Sequence, residues 1–164
     1  MIDKNNLNGW SLSEEAVEWI LKNIPKYSTI LELGSGTGTI ELCKNYNVWS
    51  IEHNKDWIGL SKKSNYIYSP LKSYLHSNKS YIWYNDSFLK KLPKDYQLLI
   101  IDGPPGDIRG NFIYFNRYFK KDIPILIDDT NRLVDKKLAE DLSKIMNKEI
   151  LEIKGYEKEM IVLV

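Results

Sequence analysis

One cysteine is all the chain has, so no disulfide can close within it, and Cys43 falls in an apolar helical stretch that suits a buried thiol in a reducing compartment. No apolar run approaches the roughly 20 residues needed to span a bilayer. The N-terminus, with Asp3, Asn5 and Asn6, lacks the apolar core of a secretory signal. A cytoplasmic protein with no membrane partner is expected. Charge of one sign is also missing: 23 Lys and Arg face 22 Asp and Glu, which gives no reason to expect bulk binding to nucleic acid or an anionic surface. Only two histidines occur, His53 and His76. What the chain does have is 43% hydrophobic residues over 164 positions, enough for one domain with a buried core spanning 1–164.

Val17, Ile20, Leu21 and Ile24 recur at helical spacing over 13–24, with Ser13 as N-cap and Pro25 as terminator. A strand is predicted at 29–33, a helix at 40–46, a second strand at 48–52, a short helix at 56–63 and a third strand at 81–84. The stretch 65–79 reads ambiguously. Two continuous apolar runs, 97–101 and 123–127, end at Asp102 and Asp128 and have the character of strands covered on both faces. A helix at 133–146 follows, and 149–153 and 160–164 flank Gly155 as a closing antiparallel pair. Strands alternating with helices predict a Rossmann-like α/β fold: a doubly wound, mostly parallel sheet in a three-layer sandwich, with ligands bound beyond the carboxyl ends of the strands.

The polar residues at those ends carry the chemistry. Leu33-Gly34-Ser35-Gly36-Thr37-Gly38 joins the first strand to the next helix, and closely spaced glycines let backbone approach a ligand or, alternatively, serve only the packing of helix against strand. Glu52 ends the second strand, where a carboxylate can accept hydrogen bonds from both ribose hydroxyls. Thr39 stands where a dinucleotide fingerprint wants its third glycine, and Glu32 precedes the first glycine by two residues. An acid there opposes a pyrophosphate and favours a cationic ligand, unless it serves as a cap or salt-bridge partner. Asn85-Asp86-Ser87 follows the third predicted strand, placed to meet an adenine amino group or to cap a turn.

Glu32, Gly34, Gly36, Gly38, Glu52, Asp86 and Asp102 stand in an order and spacing that resembles the class I S-adenosylmethionine-dependent methyltransferases, over nearly the whole chain. The resemblance implies a cofactor site made by Glu32, near the methionine ammonium, the turn Gly34, Ser35, Gly36, Thr37 and Gly38, Glu52 and His53 at the ribose, Asp86 and Ser87 near adenine, and Asp102. Residues 1–27 would form a helical segment covering the cofactor or substrate side.

Asp102-Gly103-Pro104-Pro105-Gly106 must be a stiff loop lining the transfer position. It resembles the Asp/Asn-Pro-Pro-aromatic motif of nucleic-acid amine methyltransferases, but Gly103 is inserted after the acid and no aromatic follows Pro105, which disfavours base methylation. Asp102, Asp128 and Asp129 resemble the acids of metal-dependent O-methyltransferases. Three converging carboxylates repel unless protonated or bound to a hard cation such as Mg²⁺. The rival reading has Asp128 or Asp129 capping the 133–146 helix and Arg132 pairing with a neighbouring acid. Those enzymes place a lysine just after the first acid, where this chain has Pro105, so Asp102 or Asp128 is the catalytic candidate. The expected activity is O-methylation of a small hydroxylated acceptor such as a sugar or glycan unit, with Trp10, Tyr66, Tyr68 and Tyr114 available to stack on it. A nicotinamide-dependent oxidoreductase and a non-catalytic cofactor-binding subunit stay open as alternatives.

Overall fold

The computed structural model describes residues 12–156 and 158–164, so Trp10 lies outside the described residues. Helix α1, Glu14–Asn23, starts where Ser13 Oγ accepts the Ala16 N–H at 3.2 Å and stops at Ile24, ahead of Pro25. Its apolar stripe of Ala16, Val17 and Ile20 is fully buried, each large side chain contributing about 1.5–3 kcal/mol relative to exposure. The phenol of Tyr46 donates to the carbonyls of Ile20 and Ile24, tying the end of the helix to the chain that leads into the strand Asn47–Glu52.

Strands β1 (Thr29–Leu33), β2 (Asn47–Glu52), β3 (Asn65–Tyr68), β6 (Leu98–Ile101), β7 (Ile125–Ile127), β8 (Ile150–Lys154) and β9 (Glu159–Leu163) form one sheet in the order β3-β2-β1-β6-β7-β9-β8. The pairs from β3 through β7 are parallel, and β9 runs antiparallel to both β7 and β8. Alternation along the central strands divides the core. Leu31, Leu33, Leu99 and Ile101 face one side with Phe112 and Leu138, while Ile30, Val48, Leu98 and Ile100 face α1. Helix α4, Leu133–Met146, covers the first side with Leu138, Ala139 and Leu142. The Rossmann-like sandwich is therefore as the sequence predicts, including the terminal antiparallel pair.

Three local expectations are corrected. Residues 81–84 do not form the third strand of the main sheet. They belong to β5, Lys79–Tyr84, paired with β4, Leu71–His76, as a separate antiparallel hairpin, and the parallel edge strand is β3. The hairpin turns through Ser77 and Asn78, both left-handed at φ 48° and 62°, the conformation that a two-residue turn between twisted strands requires. Helix α2 runs Thr37–Leu42, earlier than the predicted 40–46, because the Thr39 hydroxyl accepts the Gly36 N–H at 3.1 Å and starts the helix there. The predicted helix at 56–63 shrinks to one 3₁₀ turn, Lys55–Trp57, followed by Gly59 at φ 87°.

Candidate functional site

Parallel strands β1, β2, β6 and β7 end at the same sheet edge, and the turns leaving them surround a cavity of about 590 Å³. Gly34, Ser35, Glu52 and His53 form one wall. The loop Asp102 to Gly106 forms another, and Asp129, Arg132 and Lys158 close the far end. No residue of α1 lines it, since that helix packs on a sheet face.

Glu52 is 2% exposed, with its carboxylate held in place by the chain itself. Oε2 accepts the Ser35 N–H at 2.8 Å and the Ser35 hydroxyl at 3.1 Å, and Oε1 accepts the Asn54 N–H at 2.7 Å. His53 Nδ1 stands 3.0 Å from Oε1. The glycine turn explains itself partly by packing. Gly34 sits at φ 85°, and a Cβ there would meet Gly103 N at 2.9 Å. From the other side, a Cβ on Gly103 would meet Tyr84 Oη at 2.5 Å and Gly34 Cα at 2.7 Å. These two glycines let the β1 and β6 turns touch, which fixes the cavity floor.

Glu32, Gly36 and Gly38 face elsewhere. With Thr39, Leu12 and Asp102 they line a small recess beneath the glycine turn; of these only Asp102 also reaches the cavity, and Thr37 does not line it either. Glu32 is 4% exposed, and its Oε1 accepts the Ser50 hydroxyl at 2.5 Å and the Thr39 hydroxyl at 2.6 Å. Burial pushes its pKa up to about 7, opposed by those hydrogen bonds and assisted by the charge of Glu52. Asp86 and Ser87 also lie off the cavity wall. Asn85 caps the turn there, its Oδ1 accepting the Ser87 N–H at 3.0 Å, and exposed Asp86 stands 3.8 Å from Lys72 Nζ.

Asp102, Asp128 and Asp129 converge, with one carboxylate oxygen from each lying within 4.8 Å of the others. Their mutual repulsion is met by Arg132 and by two side chains, Arg109 and Lys158, that sequence reasoning did not assign to the site. Arg109, at the end of helix α3 (Gly106–Arg109), reaches Asp102 Oδ1 and Asp129 Oδ2, both at 3.3 Å, and donates to the Asp128 carbonyl at 3.1 Å. Lys158 Nζ lies 3.1 Å from Asp128 Oδ2 and 3.6 Å from Asp129 Oδ1. Arg132 donates to Asp129 Oδ2 and, at 2.8 Å, to Asp135 Oδ2, a fully buried acid from the first turn of α4. Neither Asp128 nor Asp129 caps α4. Arg132 occupies the N-cap position without a side-chain cap, while Asp129 turns the chain at φ 56°. The expected pairing of Arg132 with neighbouring acids is present; the capping is not.

Asp128 is fully buried behind the wall, and its Oδ1 has no hydrogen-bond partner. Burial first, then the adjacent Asp102 charge, raises its pKa to about 8 against the pull of Lys158. Asp102 does reach the cavity. Burial raises its pKa too, opposed by Arg109 and Lys158.

No known family's sequence profile matches the chain, and no curated protein matches it in sequence. Solved structures do. Precorrin-8W decarboxylase from Methanobacterium thermoautotrophicum superposes with a TM-score of 0.64 at 15% identity, over 100% of this chain and 96% of that one. A putative O-methyltransferase from Klebsiella pneumoniae gives 0.62 at 14% identity, covering 98% and 86%. An O-methyltransferase from Bacillus cereus in complex with SAH gives 0.60 at 15%, covering 98% and 85%. The sheet order, the reversed β9 and these superpositions together give the chain the fold of the class I S-adenosylmethionine-dependent methyltransferases.

Proposed function

We propose that the protein is an S-adenosylmethionine-dependent methyltransferase that methylates a hydroxyl of a small acceptor such as a sugar unit. The observation that carries the reading is the buried Glu52 carboxylate on the wall of a roughly 590 Å³ cavity, at the strand ends where this fold binds nucleotides. Glu52 ends β2 with both oxygens anchored by Ser35 and Asn54, so a ribose diol would meet an acceptor already oriented. His53 and Trp57 flank it on the cavity wall.

S-adenosylmethionine, when bound, supplies a methyl carbon made electrophilic by its sulfonium and leaves as the neutral thioether once the carbon–sulfur electron pair returns to sulfur. Asp102, partly exposed on the wall with a raised pKa, is the group to take the hydroxyl proton as the acceptor oxygen forms its bond to carbon. The stiff Gly103 to Gly106 loop and Arg109 hold Asp102 in that position. Asp128 is buried behind the wall and acts through its neighbours. The test is transfer of a labelled methyl group to a panel of sugars, phenols and nucleic acids. Label on hydroxylated small molecules supports the reading, label on nucleic acid alone refutes the acceptor class, and no label on any acceptor refutes methyl transfer.

A further inference from the structure

We propose that Lys158 is a built-in cation at the three-carboxylate corner, standing where a divalent ion would bridge Asp102, Asp128 and Asp129, and that its ammonium positions the acceptor oxygen.

A hard divalent ion needs carboxylate oxygens free to turn toward a common centre. Here each acid already has a cationic side chain: Arg109 on Asp102, Lys158 on Asp128, and Arg109, Arg132 and Lys158 on Asp129. The residues present do not fit a metal, because an added dication would be set against the ammonium of Lys158 and the guanidinium of Arg109 within a few ångströms. Lys158 differs from Arg109 in its reach. Arg109 spends its donors on Asp102, Asp129 and the carbonyls of Pro104 and Asp128, and is buried. Lys158 lies on the cavity wall beside Asp102 and Asp129, and an ammonium has three donors, of which Asp128 Oδ2 takes one at hydrogen-bond distance. Donor capacity is thereby left facing the space where an acceptor oxygen would develop.

The chain reaches this position by tertiary folding. Lys158 ends the turn between β8 and β9, where the Gly155 N–H donates to the Lys158 carbonyl at 2.9 Å and sets the residue beside β7 and its acids. A lysine absent after Asp102 in sequence is thus supplied at the same sheet edge by the turn that leads into β9, two strands from β6.

The claim that Lys158 excludes a metal stands without any assignment of activity, whereas its role toward the acceptor rests on the methyltransferase reading. The first is tested by following free Mn²⁺ by electron paramagnetic resonance during titration into the wild-type chain and into Lys158→Ala. Expected are no uptake by wild type and a new Mn²⁺ site in the variant, since removing the ammonium leaves the carboxylates short of one positive charge. Lys158→Met, which keeps most of the aliphatic stem, replaces the alanine variant should that one not fold. Uptake by wild type that Asp128→Asn abolishes, or no uptake by a folded Lys158 variant, overturns the proposal. Where an acceptor is found, wild-type turnover should be indifferent to EDTA. Lys158→Ala turnover should fall roughly tenfold or more, the cost of one charge-assisted hydrogen bond, and recover in part with Mn²⁺. A wild-type enzyme silenced by EDTA, or a variant with undiminished turnover, overturns the role toward the acceptor.

Discussion

Replacing Glu32 with Gln should remove a pH dependence from the stability of the protein. Glu32 is buried between the glycine turn and β2, and its pKa stands near 7 against an ordinary value of 4.5. A carboxyl whose folded pKa is raised stabilises the fold below the unfolded pKa, and that contribution is lost as pH climbs through the folded one. The gap corresponds to about 3 kcal/mol at about 1.36 kcal/mol per pH unit. Of this, about 2.5 kcal/mol falls between about pH 5 and about pH 8 by the same linkage. Glu32→Gln keeps an acceptor for the Ser50 and Thr39 hydroxyls but carries no charge at any pH. Asp128 contributes a slope of the same sign in both proteins, which cancels in the comparison. Urea unfolding at the two pH values should show wild type losing stability relative to Glu32→Gln as pH rises, a relative midpoint shift on the order of 1 M urea at the usual denaturant slope. Parallel curves for the two proteins, with equal loss between the two pH values, would refute the reasoning that Glu32 is held neutral by burial.

Two further outcomes follow from the site's construction. Gly103→Ala should cost about 1–3 kcal/mol of stability in urea unfolding, because its Cβ would press on Tyr84 Oη and on the backbone of Gly34; a change within measurement error contradicts the close contact of the two turns. Glu52→Ala should weaken binding of S-adenosylhomocysteine in a calorimetric titration by about 1–3 kcal/mol, the loss of charge-assisted hydrogen bonds, and unchanged affinity would remove Glu52 from the ribose.

The apolar runs that form β6 and β7 stood out in sequence because strands buried on both faces carry no polar alternation. The same runs led directly to Asp102 and Asp128, the residues that terminate them. Strand β3 was hidden because Asn65–Tyr68 is a sheet edge on which only Ile67 is buried. Residues 81–84 do form a strand, but in the hairpin, where Trp83 is buried against the 110–119 segment, stacked on Phe115 at 5.5 Å. A Ser-Asn hairpin turn gave no glycine signal. The acids of the site were legible, and so was Arg132 as a partner to one of them, but Arg109 and Lys158 were not. Arg109 lies in a four-residue helix and Lys158 in a distant hairpin, and only the pairing of β9 with β7 brings Lys158 to Asp128. Glu32 was read by position as a ligand to an ammonium, but the hydroxyls of Ser50 and Thr39, which occupy it, come from two other elements.

The central claim, that the cavity beyond β1, β2 and β6 binds S-adenosylmethionine, is tested most directly by calorimetric titration of S-adenosylhomocysteine and, separately, of NAD. Binding of S-adenosylhomocysteine at micromolar affinity or tighter, with no heat from NAD, is the predicted result. Tight NAD binding with no signal from S-adenosylhomocysteine would contradict it.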